Sequence, residues 1–175
     1  EEGEGSTKLS AVLEEIRMID EKSGGTDKVV IFSQFTAFLT VLQRAMEARN
    51  ICLARLDGTM TRGNRQKATD KFLNTPDCNV FLVSIKAGGT GLNLVKARHV
   101  LLTDLWWNSA VDRQAMDRVH RFGQTRPVRV VRFLVRNSIE ERILALQEKK
   151  EALIAAAIGG HVQKEELREA RTQDL

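Results

Sequence analysis

The chain has 175 residues, a mass of 19.7 kDa and a formal net charge of +4, which is the size of one domain able to bury a core. Hydrophobic residues make up 42% and charged residues 29% of it, and its longest apolar run, residues 152–158, is too short to cross a bilayer. Only two cysteines occur, Cys52 and Cys78, and neither lies in a CxxC pair. These features exclude a membrane protein, a disulfide scaffold and a disordered tail.

Hydrophobic periodicity predicts alternating helices and strands along most of the chain. Residues 1–5 contain no apolar side chain and predict a linker, and the missing initiator methionine suggests a fragment. Helices are predicted at residues 6–21, 35–48, 61–73, from 109 onward, and from 138 to about 158. Strands are predicted at residues 29–32, 51–56, 79–84, 100–102 and 128–135. Gly159 and Gly160 predict the end of the last helix, so that residues 159–175 form a polar tail or a frayed helix.

This alternation predicts an α/β fold with a mainly parallel sheet and helices on both faces, extended by an N-terminal helix and a long C-terminal helix. Residues 6–158 form the predicted domain. In such sheets the functional loops follow the carboxyl ends of the strands.

The positive charge is concentrated in the centre of the sequence. Residues 54–132 carry 14 basic and 6 acidic side chains, whereas residues 1–53 and 133–175 have net charges of −3 and −1. A cationic block is typical of proteins that bind a polyanion through its phosphates, although a solvated basic surface explains the charge equally well.

A glycine-rich segment follows the third predicted strand at residues 84–94. Closely spaced glycines allow backbone N–H groups to approach a phosphate. The segment is not a Walker A loop, because Gly91 is followed by Leu92 and Asn93 instead of Lys and Ser or Thr. A tight connection between two strands is the alternative interpretation.

Residues 109–124, SAVDRQAMDRVHRFGQ, predict a helix with a cationic face. Gln114, Arg118 and Arg121 fall at helical spacing, and two arginines one turn apart suit a phosphate clamp, although ordinary surface arginines give the same spacing. A second face of this helix is apolar and is predicted to pack on the sheet: Val111, Ala115, Val119 and Phe122.

Two further motifs lie next to predicted strands. Trp106 and Trp107 directly follow a strand, which predicts at least one indole at a loop surface, with burial of both as the alternative. The turn at residues 57–61 leads into a helix with several basic side chains and predicts a backbone-phosphate site: Arg62, Arg65, Lys67 and Lys71.

The order of these motifs closely resembles the second RecA-like lobe of superfamily 2 helicases, and more narrowly the SWI/SNF family of double-stranded-DNA translocases. The motifs are KVVIFSQF, LDGTMTR, VSIKAGGTGLNL, DLWWN and DRQAMDRVHRFGQTRPV, and the resemblance spans about residues 6–158. Residues 7–9 and 127–133 are most similar to the subgroup that carries a RING finger between its lobes, which includes helicase-like transcription factor. Ser109 replaces a common proline and Phe122 a common aliphatic residue.

The resemblance implies an ATP cleft and a DNA surface. Arg118 and Arg121 would be arginine fingers for the γ-phosphate of ATP. Other residues would line the nucleotide cleft: Gly89, Thr90, Gly91, Asn93 and Gln114. The DNA backbone would be contacted by a third set: Ser33, Gln34, Arg62, Ser84, Lys86 and Trp107.

The resemblance also implies partners and a location for the protein. The expected partners are duplex DNA, the first RecA-like lobe of the same protein and, further, nucleosomes or DNA-repair factors, all in the nucleus. No membrane partner and no metal ligand set are expected, since the three histidines are scattered.

The sequence contains neither a Gly-Lys-Thr loop nor an Asp-Glu-x-His box. In the family these belong to the first lobe, so ATP and Mg²⁺ would be held mainly there, and this chain alone would hydrolyse no ATP and bind it weakly. A non-catalytic DNA- or protein-interaction module with the same fold is the alternative. A small-molecule Rossmann enzyme would need an acid or base pair and an acidic ribose ligand, and the sequence shows neither.

Overall fold

A computed structural model describes the backbone of residues 6–87 and 92–173 and the side chains of residues 6–87 and 92–157. The helices are α1 (Thr7–Ser23), α2 (Thr36–Glu47), α3 (Arg62–Asn74), α4 (Ser109–Met116) and α5 (Ile139–Gln173). The strands are β1 (Lys28–Ser33), β2 (Leu53–Leu56), β3 (Val80–Ser84), β4 (Ala97–Leu102) and β5 (Arg129–Arg132). Every predicted element is present. None of the helices described is long and apolar enough to cross a membrane.

The five strands form one parallel sheet in the order β2-β3-β1-β4-β5, which confirms the predicted fold class. The chain leaves β1 through α2 toward β2, on one side of the sheet. It leaves the neighbouring strand β4 through α4 toward β5, on the other side. The carboxyl ends of β1 and β4 therefore form a topological switch point, where α/β sheets usually bind ligands.

Alternate side chains of the central strands enter two separate cores. Val30 and Phe32 of β1 face a core that includes Phe72 of α3 and Ala115 of α4. Val29 and Ile31 face the opposite core, which α1 and α2 cover through six buried side chains: Val12, Ile16, Ile19, Leu39, Leu42 and Met46. Because both faces are covered, β1 and β3 consist almost entirely of buried residues, as the continuous apolar runs predict.

The prediction of a single helix over residues 109–124 is wrong. Asn108 caps α4 by accepting a hydrogen bond from the backbone N–H of Ala110 at 3.0 Å, and the helix ends at Met116. The backbone then continues in tighter turns of the 3-10 type, in which the N–H groups of Arg118 and Val119 bond to the carbonyls three residues earlier.

The predicted end of the last helix is also wrong. The helix α5 continues through Gly159 and Gly160 to Gln173. A glycine within a helix costs only about 1 kcal/mol, and residues 161–173 are rich in strong helix formers, so the helical pattern outweighs the two glycines.

Candidate nucleotide and nucleic-acid site

The predicted site residues converge on the carboxyl edge of the sheet. Ser33 and Ser84 are the last residues of β1 and β3 and pair directly in register. Gln34 follows β1, Lys86 follows β3 and Trp107 follows β4. Three of the predicted nucleotide-binding residues lie outside the described residues: Gly89, Thr90 and Gly91.

Asp104 organises the two loops at the switch point between β1 and β4. Its carboxylate is 5% exposed and accepts hydrogen bonds from the Ser33 hydroxyl, the Thr103 hydroxyl and the backbone N–H of Gln34, each at 2.7 Å. The Ser33 hydroxyl also accepts a bond from the backbone N–H of Phe35 at 3.0 Å. The sequence analysis did not single out Asp104, although its position directly after a buried strand was a usable signal.

The predicted DNA contacts divide into buried and exposed side chains. Ser33 and Ser84 are buried, and the hydroxyl of Ser33 is already bonded within the protein. Lys86 and Arg62 are exposed, and 54% of Trp107 is exposed. The exposed indole confirms the prediction for the tryptophan pair, whose other member is half-buried.

The turn between β2 and α3 is held by side chains on both of its sides. The Thr59 hydroxyl donates to Asp57 at 2.6 Å and lowers the pKa of that carboxyl together with the Arg55 guanidinium, whose Nε donates to it at 3.0 Å. Arg65 donates to two carbonyls of the turn, those of Gly58 and Met60. Arg65, predicted as part of a phosphate site, therefore fixes the turn from which the exposed Arg62 projects.

Gln114 and Arg118 lie together beside the ends of β1 and β3. Both line a small cavity whose walls include Phe32 and Ile85. Arg118 is half-buried, and its Nε has no hydrogen-bond partner within the described part of the chain. A half-buried guanidinium without a carboxylate partner retains its charge and donors for an anionic ligand.

The turns that carry the two arginines are fixed to the segment after the glycine-rich loop. The backbone N–H of Leu94 bonds to the carbonyl of Arg118 at 2.9 Å. The Gln124 amide donates to the carbonyls of Val95 and Ala97 at 2.9 and 2.8 Å. Gly123 adopts a φ of 101°, which an L-residue rarely does, so the Gly-Gln pair that ends this motif has a structural role.

Comparison with known proteins identifies the family to which the chain belongs. The model of the helicase conserved C-terminal domain matches residues 7–123, about two thirds of the chain. The chain belongs to the helicase C-terminal domain family. The chain is also similar to a solved structure, the C-terminal part of the Fun30 ATPase domain, with a TM-score of 0.77 and 39% identity over 81% of this chain and 45% of that one.

Similar curated proteins carry DNA-repair and helicase names. The chain is 48% identical to the DNA repair protein rad8 of Schizosaccharomyces pombe over 83% of its length, and 48% identical to the helicase-like transcription factor CHR28 of Arabidopsis thaliana over 78%. It is 43% identical to the DNA repair protein RAD5 of Cryptococcus neoformans over 87%. The helicase domain spans only 13–14% of these relatives' lengths.

One of the four apolar side chains predicted to pack on the sheet of this helicase domain does not do so. Ala115 and Val119 are buried and Val111 is half-buried, as predicted, but Phe122 is fully exposed. The prediction for Phe122 is wrong because helical spacing does not extend past Met116. Arg121 and Asn93 are exposed as well, so both can be reached from outside the domain.

A buried carboxylate that the sequence analysis missed lies within α4 of the helicase domain. Asp112 has no exposed surface, and neither of its oxygens has a hydrogen-bond partner in residues 6–87 and 92–157. Burial raises the pKa of this carboxyl, and the nearby Arg132 guanidinium and Gln147 amide oppose the shift only in part. Within the same residues, no group of three His, Cys, Asp or Glu side chains is arranged to hold a metal ion.

Proposed function

We propose that this domain is the second ATPase lobe of a DNA translocase of the RAD5 type, supplying arginine fingers to ATP and backbone contacts to duplex DNA. The observation that carries the proposal is the position of Arg118. Its half-buried guanidinium lacks an acidic partner among the described residues and lies beside Gln114, at the edge of the sheet where ligands bind.

The residues of this lobe suit charge stabilisation in phosphoryl transfer. ATP with its Mg²⁺, held mainly by the first lobe, supplies the phosphoanhydride bond that is broken. The guanidinium groups of Arg118 and Arg121 would donate hydrogen bonds to the γ-phosphate oxygens and stabilise their charge in the transition state. Gln114, Asn93 and the predicted residues Gly89, Thr90 and Gly91 would complete this side of the cleft.

The accessible groups of the same edge suit sequence-independent binding of duplex DNA. The exposed Arg62, Lys86 and Trp107 and the half-buried Gln34 can reach a phosphate backbone without reading base edges. ATP binding would close the two lobes and hydrolysis would open them, so that the DNA contacts of this lobe advance along the backbone. The names of the relatives support a role in DNA repair and hence a nuclear location, with nucleosomes or repair factors as further partners.

The proposal is tested in the parent protein with both lobes present. We expect Arg118→Ala and Arg121→Ala to lower DNA-stimulated kcat by roughly 10³-fold, the magnitude known for arginine fingers. The affinity for duplex DNA should change less than about 2-fold, since phosphate contacts elsewhere remain. Arg113→Ala is the matched control: this arginine is exposed, lies on α4 and donates only to Ser109 among the described residues.

Two results would contradict the proposal. One is a control variant, Arg113→Ala, that loses as much turnover as Arg118→Ala. The other is an equal loss of DNA binding and turnover in a folded Arg118 variant, because an arginine finger acts mainly on turnover. A parent protein that binds DNA but hydrolyses no ATP would favour the non-catalytic interaction module. We further expect this chain alone to hydrolyse no ATP and the addition of the first lobe to restore activity.

A further inference from the structure

Asp104 connects two loops that lead to opposite sides of the sheet. The loop after β1 continues into α2, and the loop after β4 continues into α4 and the arginine turns. The carboxylate follows β4, yet two of its three hydrogen bonds come from the end of β1 and the loop after it, from the Ser33 hydroxyl and the Gln34 backbone N–H. The Gln34 side-chain amide makes a longer bond of 3.5 Å to the carbonyl of Leu105.

The β4 loop is short and firmly attached to α4. Only residues 103–108 separate β4 from α4, and Asn108 both ends the loop and caps the helix. The helix α4 has eight residues, and the backbone N–H of Arg118 bonds to the carbonyl of Ala115 in its last turn. A displacement of Asp104 therefore moves α4 and the backbone of Arg118 together.

We infer that Asp104 is a positioning residue that transmits the contact of DNA with Gln34 and Trp107 to α4 and so to Arg118. The inference rests on the proposed function, because that function assigns DNA to the two loops and ATP to the arginines. A buried carboxylate suits this role, since its two oxygens accept three hydrogen bonds at once and thereby hold both loops in one arrangement.

The chain offers a matched control for this role in Asp57. That carboxylate is also buried and also follows a strand, β2, but its hydrogen bonds come from Thr59 in its own turn and from Arg55. Asp57→Ala therefore removes a comparable buried acid that does not connect the β1 and β4 loops.

The experiment compares Asp104→Ala, Asp104→Asn and Asp57→Ala in the parent protein by DNA-stimulated ATP hydrolysis and by hydrogen–deuterium exchange. We expect Asp104→Ala to lower maximal stimulated kcat about 10-fold, while the DNA concentration for half-stimulation changes less than about 3-fold. Amide exchange should accelerate in residues 33–37 and also in residues 104–110. In Asp57→Ala, acceleration should be confined to residues 57–61.

The variant Asp104→Asn separates the proposed role of Asp104 from a general loss of folding. Its amide oxygen can still accept the Gln34 N–H, while the Thr103 hydroxyl has a second acceptor in the carbonyl of Phe32 at 3.1 Å. This variant should fold and show a smaller fall in kcat than Asp104→Ala.

Two outcomes would overturn the inference. One is faster exchange in residues 33–37 alone, which would make Asp104 a local acceptor for the β1 loop. The other is wild-type DNA stimulation in a folded Asp104→Ala variant. If the wild-type parent showed no DNA-stimulated hydrolysis, the proposed function would fail, but the exchange comparison would still decide whether Asp104 connects the two loops.

Discussion

The buried carboxylate of Asp112 allows a stability prediction whose sign depends on pH. Its side chain has no exposed surface, and neither oxygen has a hydrogen-bond partner among the described side chains. Burial raises the pKa of this carboxyl above its usual value of 3.8. The folded protein therefore retains the proton to a higher pH than the unfolded chain, so ionisation at neutral pH opposes folding.

The variant Asp112→Asn removes this charge and keeps the shape of the side chain. An unpaired buried charge costs several kcal/mol, whereas an unsatisfied buried amide costs about 1–3 kcal/mol. We therefore expect Asp112→Asn to raise the free energy of unfolding by about 1–2 kcal/mol at pH 7. The gain should shrink as the pH falls toward 4, because Asp112 takes up its proton and the two side chains become equivalent in charge.

Urea denaturation of the wild type and the variant from pH 8 down to about pH 4 measures this difference directly. Asp117→Asn, at an exposed position directly after α4, serves as the control and should change stability by less than about 0.5 kcal/mol. A gain independent of pH would refute the reasoning. So would a loss of stability at pH 7, which would mean that Arg132 and Gln147 together fully compensate the buried charge.

Three further substitutions test the packing, the charge pairs and the backbone. Phe72→Ala should cost about 3–5 kcal/mol in urea denaturation, because Phe72 is fully buried and stacks on Phe81 at a ring distance of 4.9 Å; a loss below 1 kcal/mol would contradict the packing. Burial disfavours the charged form of Asp27, but bonds from His99 and Arg98 outweigh it and lower its pKa. Asp27→Asn should therefore lower the free energy of unfolding at pH 7, and the loss should become smaller as the pH falls through the lowered pKa of Asp27. An equal loss at all pH values would argue against the pairing of Asp27 with Arg98 and His99. Gly123→Ala should cost about 1–3 kcal/mol in thermal unfolding because of the φ of 101°, although no atom of the described residues would lie within 4 Å of the added methyl group; an unchanged Tm would show that the turn adapts.

The sequence predicts the strands of the sheet well because the apolar pattern that indicates a strand lies within the strand itself. The continuous apolar run at residues 29–32 is typical of a strand that is covered on both faces, and it forms the buried parallel strand β1. The lengths of the segments between the strands also predict a parallel sheet, since ten or more residues separate the first three strands and leave room for crossover connections. The order of the strands depends on contacts between distant residues, which periodicity does not report.

The residues of the candidate site stay predictions, whereas the helical backbone predicted for residues 109–124 is wrong. The helical spacing of the sequence predicts a helix from residue 109 to Gln124, because Val119 continues the apolar period and no proline interrupts it. The structure ends the helix early since the carbonyl of Arg118 and the amide of Gln124 bond to the segment before β4. Tertiary hydrogen bonds of this kind leave no periodic signal, and Gly123 was the available local indication.

The early end of α4 has a consequence for how the proposed active site is built. Arginines on a continuous helix would move with that helix alone. In this lobe, the turn carrying Arg118 is bonded at Leu94 to the segment that follows the glycine-rich loop, and the Gln124 amide holds the same segment at Val95 and Ala97. The other end of α4 is set by the loop of Asp104, which contacts β1. The backbone of Arg118 is therefore linked to both ends of β4, so the proposed nucleotide and DNA contacts would act on one short, hydrogen-bonded unit.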